Sequence, residues 1–509
     1  VGEEIMLKND IQKEIEKGQD FISILYKLSE EIPDVIAFND LDLELEYTYK
    51  EIKEQIEVWC GYFKQLGVKK GDKIVLFLSD SVEFIFAFYA LSSIRAISVF
   101  CDMSITDYEF SYILEHSKPV GIVTSKKHTF NKEILKEVSF VLLIDKPPYA
   151  DENGESRCES LYISDLEYMP SLLRPIKLDS VISLHFTYKG MGYPLAVYHT
   201  CYDYLRCIKQ MKAIYPKGIG ETHLLCLPMH AIYSISSSVL LPLMRGNTII
   251  FCKNIMQKKL LKILVQYKVS VVCLVPFLIS KLIHEGESDT ERKMIDALNP
   301  SLDIISGGSF LDKRLQEKIY DILGKEAYQG YGLTECFPIT FNSKERNKRG
   351  SIGAFQDEYA EIIILDCEGN QLKYGQVGEI AIKSDRLCKG YGNDEKAYSQ
   401  LMYKDFFMSG DIGYIDEDNF LYFVGRKRRF TKIMSTMVDI QETEQTLMKH
   451  PAVKSAKVFV RYTDRLGEVL CATIVVKDGH SKPSISELKG FCHQYLSKIK
   501  IPSRMFIVD

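Results

Sequence analysis

A basic excess is missing from this chain. Its 509 residues carry 64 Lys and Arg against 69 Asp and Glu, and a net charge of −5 excludes a whole-protein nucleic-acid surface. The basic run "GRKRRFTK" (425–432) reads as a solvated face. Ligand-spaced cysteine is missing as well. The 13 cysteines are odd in number and show no repeated CxxC or Cys/His spacing, which excludes a disulfide frame and the common zinc sites. They read as reduced thiols of a cytoplasmic protein, mostly small core residues. The opening "VGEEIMLKNDIQKEIEKGQD" is charged and helix-like, without the apolar segment of a secretory leader. Solenoid periods and long low-complexity linkers are absent too. The 21 residues Leu224–Met244 lack Asp, Glu, Lys and Arg, but Pro228, Pro242, His230 and four serines make them a poor bilayer span. They read as a buried helix with its entry loop, in a soluble protein with no membrane span.

What is present is an ordinary globular mixture, 46% hydrophobic and 26% charged, long enough for roughly three structural units. Short apolar runs alternate with amphipathic stretches. "KIVLFL" (73–78), "VGIVTS" (120–125), "FVLLID" (140–145), "TIIFC" (248–252) and "VSVVCLV" (269–275) read as buried strands. "SVEFIFAFYALSSI" (81–94) and "KKLLKILVQYK" (258–268) read as helices between them. Such alternation implies parallel sheets covered by helices on both faces. From about residue 355 the texture turns β-rich, as in "EIIILDCEGNQLKYGQVGEIAIKS" (361–384). The tail reads as α+β, with "SISELKGFCHQYLSKIK" (484–500) as a helix. The expected division is 1–425 and 426–509, with the hinge near 425–429.

Three segments carry nucleotide chemistry. In "YQGYGLTEC" (328–336), Gly330 and Gly332 let backbone approach a flat ring, Thr334 offers a hydroxyl to phosphate, and Glu335 a hard oxygen to Mg²⁺. "ISGGSF" (305–310) brings Gly307, Gly308 and Ser309 as a second close turn for adenine. "FMSGDIGYIDEDNFLYFVGR" (407–426) supplies Asp411 for the ribose hydroxyls and Arg426 as a fixed fork for ribose or phosphate oxygens.

In this order the segments resemble the acyl-adenylate-forming superfamily of acyl-CoA synthetases, luciferases and peptide-synthetase adenylation domains. Further similar text stands at 47–78, 258–282, 375–393 and 501–509. The resemblance implies an α/β fold: two stacked α/β subdomains plus a small β-barrel, followed by a small mobile α+β C-terminal domain. It implies ATP and Mg²⁺ as cofactors, attack of a carboxylate on the α-phosphate, and transfer of the acyl group to a phosphopantetheine thiol. Carried over residue by residue, Thr187, Gly192, Gly307, Gly308, Ser309, Tyr331, Gly332, Thr334, Asp411 and Arg426 are expected around the nucleotide. Thr334, Glu335 and Lys189 are the expected catalytic groups, Glu335 also the metal ligand, and Arg428 the hinge.

The chain departs from the family pattern in three places. "LHFTYKGMGYPLAV" (184–197) keeps Thr187, Gly192 and Pro194 of the phosphate loop. Its hydroxyl run becomes Tyr188-Lys189-Gly190-Met191, and the usual lysine becomes Leu195. Backbone N–H groups still offer a cradle, and Lys189 brings a charge from another point of the loop. "FTKIMSTMVDIQETE" (430–444) has Lys432-Ile433, nearer to carrier-loading domains, but Ser435 in place of glycine. The family's catalytic lysine lies beyond "IPSRMFIVD" (501–509), past the last residue here.

For the substrate, "LPMHAIYSISSSVLL" (227–241) holds no acid to pair an ammonium, which disfavours an α-amino acid. An apolar acid, fatty or aryl, remains, with His230, Tyr233, Gly308 and Tyr331 expected around it. His230 reads equally as a packed core histidine. The acceptor is expected to be a carrier protein, with coenzyme A as the alternative. A non-catalytic acyl- or carrier-binding protein is the different-class alternative. Asp411→Ala or Glu335→Ala is expected to abolish nucleotide-dependent turnover in an ATP–pyrophosphate exchange assay; an unchanged rate in either variant would refute the site assignment.

Overall fold

The computed structural model describes residues 19–124, 135, 138–144, 159–189, 191–211, 218–288, 292–355, 360–427, 430–433, 436–463, 467–477 and 479–508. Two sheets form the body. One has seven strands in the order Glu159–Tyr162, Phe140–Leu143, Gly121–Thr124, Lys73–Phe77, Ile97–Phe100, Val181–Thr187, Leu195–Thr200. All neighbours run parallel except the last pair, an antiparallel hairpin that carries the phosphate loop at its turn. The other has eight strands, a parallel centre of Asp303–Ser306, Val271–Leu274, Thr222–Leu225 and Thr248–Phe251 among them. Its edge hairpin, Ala327–Leu333 with Cys336–Phe341, holds Thr334 and Glu335 in the turn.

Parallel strands buried on both faces need apolar residues on both, so these strands read as continuous apolar runs rather than alternating ones. The helix Val82–Ser93 shows the same logic: all its residues except Glu83 are buried. It belongs to one hydrophobic cluster that draws on both sheets, including Leu76 and Ile182 of the first and Leu224 and Val271 of the second. The two sheets are therefore stacked over a shared core, as the resemblance implied.

Two readings are corrected in detail. The uncharged stretch from Leu224 opens with the end of a strand, Thr222–Leu225, before its helical part. That part contains a wide-turned π segment, Ile235–Leu240, a deformation that recurs at functional sites. The helix expected over 484–500 stops at Cys492. Its extension is overridden by a tertiary bond: the Ser497 N–H donates to the Glu109 carboxylate, 3.0 Å away, in the body.

The β-rich module is antiparallel, with Gly378–Lys383 between Glu361–Leu365 and Phe406–Ile415, and Leu421–Arg426 beside the latter. The last part of the chain has its own core, from Ile433 to Met505. There the sheet Val453–Thr463, Gly467–Val476, Arg504–Val508 packs with helices Ile440–Met448 and Ile485–Cys492.

This C-terminal part docks on the phosphate loop. Asp439 caps its own helix, accepting from Gln441 N–H at 2.7 Å, and takes the Gly192 N–H at 2.9 Å with its other oxygen. Lys500 is buried between Glu109 of the body and Glu442, 3.0 Å from the latter, and donates to the Tyr188 hydroxyl at 2.6 Å. Burial alone would lower the Lys500 pKa, but Tyr188, Glu442 and Glu109 outweigh it and hold it well above its ordinary value. Two acids now share one buried cation. Burial pushes Glu442 up to about 7, against the pull of Lys500, because the cluster is neutral only when one acid keeps its proton.

The sign follows from that raised value. The Glu442 contribution to docking is fully present below about 4.5, the ordinary value, and is lost as pH rises through about 7. Limited proteolysis of the C-terminal part is expected to quicken as pH rises from about 4.5 to about 7 and to level off above that, and Glu442→Gln to flatten that step. A step of equal size in the variant would contradict the assignment to Glu442.

Candidate active site

Strand ends and tight turns bring the site together, as usual for α/β sheets. Tyr188 and Lys189 are consecutive residues after the strand Val181–Thr187, and their side chains diverge. Tyr188 turns to Lys500, whereas Lys189 turns inward to Glu335. The Lys189 ammonium lies 3.1 Å from Glu335 Oε2, with the side chains 2% and 0% exposed. Phe407 presents its ring 5.4 Å from that ammonium. Glu335 Oε1 accepts from the Tyr391 hydroxyl at 2.6 Å, and its carbonyl from the Cys388 N–H at 2.9 Å. Removing one partner from such a buried pair costs about 3–5 kcal/mol, whereas an exposed pair is worth about 1 or less. Surface pairs such as Arg206–Asp385 are minor beside it.

Across the cavity Asp411 is paired by strand register with Arg426. Its Oδ1 accepts from Arg426 Nε at 3.0 Å and its Oδ2 from the Tyr331 hydroxyl at 2.7 Å. Burial, then the neighbouring Asp411 charge, raises the Tyr331 pKa well above its ordinary value, so the phenol stays a donor. The expected ribose clamp is thus preorganised, each oxygen already oriented by one donor.

Three cavities meet at Gly308 and Thr334, which line all of them. The largest of the three, about 470 Å³, is bordered by Thr187, Lys189, Ser309, Tyr331, Gly332, Glu335, Asp411 and Arg426. A second of about 90 Å³ lies between Tyr233, Gly307, Tyr331, Phe337 and Phe341, and none of the described residues that border it is charged. The third, about 200 Å³, runs past His230 and Tyr233 to Tyr188 and Lys500 at the domain junction. Gly308 has φ +78°, a left-handed conformation that favours glycine at this crossing.

Most of the expected nucleotide residues converge on the largest of these cavities. Two do not border it: Gly192 binds Asp439 through its N–H, and Gly307 borders the apolar pocket. Tyr233 borders that pocket as expected, its hydroxyl 3.3 Å from the Ile305 carbonyl. His230 does not; it lines the junction cavity, 3.7 Å from Asp102. Arg428, Gly190, Met434 and Ser435 lie outside the described residues. Sequence reasoning missed Lys500, Glu109, Glu442, Asp439 and Tyr391. The second lysine of "KIKIP" (498–502) and the tyrosine in "KGYGN" were their only local signals.

The Mg²⁺ expected on Glu335 meets an engaged carboxylate, one oxygen on Tyr391 and the other on Lys189. Among the described residues, no group of three or more His, Cys, Asp or Glu is gathered to hold a metal ion. As it stands, the donor set fits an ammonium and would have to release it to fit a dication. No helix among the described residues is long and apolar enough to cross a membrane.

Gly307 is where the apolar pocket is most sensitive. A Cβ there would stand 2.6 Å from the Tyr233 ring. Overpacking of this kind costs about 1–3 kcal/mol, so Gly307→Ala is expected to raise the KM for the acid about tenfold. AMP affinity, measured calorimetrically, is expected to stay near the wild-type value; an unchanged acid KM would place the acid elsewhere.

Known proteins share the family and the fold. The chain matches the AMP-binding enzyme family over residues 27–392 and the C-terminal domain of that family over residues 442–509. It is 29% identical over 484 residues to 4-coumarate–CoA ligase 2 of Nicotiana tabacum, spanning 91% of this chain and 86% of that protein. It is 28% identical over 479 residues to a 4-coumarate–CoA ligase of Vanilla planifolia, spanning 91% and 85%. The o-succinylbenzoate CoA synthetase of Bacillus subtilis shares the fold, with TM-score 0.81 at 22% identity over 96% of this chain and 94% of that one. With most of the residues expected at a nucleotide gathered on one cavity and both parts matched, the chain belongs to the AMP-binding enzyme family, as an adenylate-forming acid–thiol ligase.

Proposed function

We propose that this enzyme activates an apolar carboxylic acid with ATP and passes the acyl group to a phosphopantetheine thiol. The meeting of three cavities at Gly308 and Thr334 carries this reading. The 470 Å³ cavity suits the nucleotide, the apolar pocket the acid, and the junction cavity the thiol arm. In the first step a carboxylate oxygen bonds to the α-phosphorus while the bond to the pyrophosphate oxygen breaks. In the second the thiol sulfur, losing its proton, bonds to the acyl carbon and AMP departs.

In this reading Asp411, held by Tyr331 and Arg426, receives the ribose hydroxyls. Thr334 and Lys189 face the phosphate whose charge develops, where fixed donors in a water-poor site act most strongly. Mg²⁺ enters on the triphosphate as part of the substrate. Residues 426–509 turn on 1–425 about Arg428 to exchange the two steps.

Several features narrow the acid. The pocket has aromatic walls and no charge among the described residues that border it, which supports an aryl or short acyl chain over a long one or an amino acid. The 4-coumarate ligases among its relatives act on an aryl acid. Those relatives also support coenzyme A as acceptor. A carrier protein is the second reading, favoured by Lys432-Ile433 in the hairpin Phe430–Ile433/Thr436–Asp439.

ATP–pyrophosphate exchange over a panel of aryl and fatty acids tests the first step. Exchange confined to aryl and short acids is expected; exchange with none would refute activation. Thioester formation with coenzyme A and with a phosphopantetheinylated carrier, measured side by side, then assigns the acceptor.

A further inference from the structure

The ion pair at the centre of the site has a consequence for metal use, resting on the nucleotide reading above. We propose that Lys189 is a resident cation. Its ammonium takes the place at Glu335 that a dication would otherwise hold, so the chain binds the adenylyl phosphate through its own lysine without a protein-held metal.

Four observations carry this. Glu335 is fully buried, and a carboxylate there needs a compensating positive charge; Lys189 already supplies it at 3.1 Å. The pair is built rather than incidental: Tyr391 and Cys388 hold Glu335, and the Phe407 ring faces the ammonium. Lys189 also borders the 470 Å³ cavity beside Thr187, Thr334 and Glu335 itself, so the same ammonium is in reach of both the carboxylate and the space for the phosphate. An ammonium has three N–H donors and can serve two anions at once. Finally, Leu195, where the family pattern carries a lysine, is buried in an apolar cluster with Tyr391 and Phe407. No cation fits at that position, and the charge of the loop stands at Lys189 instead.

The opposite reading, in which Lys189 merely plugs the site, is separated by experiment. AMP is the probe because it chelates Mg²⁺ weakly, and Mn²⁺ reports a metal site by electron paramagnetic resonance. In the wild-type protein, AMP affinity by calorimetry is expected to change less than about twofold between EDTA and Mg²⁺. One charge-assisted hydrogen bond corresponds to about tenfold or more. Mn²⁺ with AMP is expected to show no site that Glu335→Gln removes. Lys189→Thr is expected to make AMP binding at least about tenfold metal-dependent and to gain one Mn²⁺ site, lost again in the Lys189→Thr/Glu335→Gln protein.

A wild-type Mn²⁺ site removed by Glu335→Gln, or wild-type AMP binding that collapses in EDTA, would overturn the proposal. AMP binding in neither buffer would overturn it together with the nucleotide reading, whereas metal-dependent binding would leave that reading intact. Should Lys189→Thr fail to fold by circular dichroism, the wild-type and Glu335→Gln arms decide alone.

Discussion

A carboxylate with no exposed surface sets the terms for this site. Glu335 sits in a hairpin turn at the edge of the eight-stranded sheet, yet its side chain points into protein. An isolated buried charge of that kind is costly enough to protonate or to reorganise its surroundings. Here the phosphate loop of the other sheet delivers Lys189 to it, and the β-rich module delivers Tyr391 and Phe407. The pair therefore joins all three parts of the large body, and the 470 Å³ cavity is the space left beside it.

The docking of the C-terminal part follows the same physics at the next residue. Tyr188 leaves the strand on the opposite side from Lys189 and meets Lys500, which balances Glu109 and Glu442. Adjacent residues of one loop thus connect the body to itself and to the small domain. Gly192 closes the arrangement with a backbone N–H on Asp439, which doubles as a helix cap. A loop without the family's Ser-Gly-Thr-Thr run serves as a structural junction, its contacts made by backbone, phenol and ammonium.

Much of the architecture was legible along the chain. Apolar runs without alternation foretold strands buried on both faces, and Lys73–Phe77, Gly121–Thr124 and Val271–Leu274 are such strands. Glycine pairs before Thr334 and Ser309, and Asp411 one strand before Arg426, foretold residues that the structure gathers on one cavity, because those motifs are local. Helix length near the C-terminus was misread. Periodicity continued past Cys492, but the bond from Ser497 to Glu109 governs that backbone, and nothing near it in sequence announces the partner.

The sequence by itself determined the fold class, the family and the residue types around the 470 Å³ cavity, since these depend on short-range pattern and motif spacing. Only the tertiary structure decided which charge neutralises which. Lys189 on Glu335 and Lys500 between Glu109 and Glu442 are pairings of residues far apart in the chain. Their strength comes from burial, a property that no single segment possesses before the segments pack.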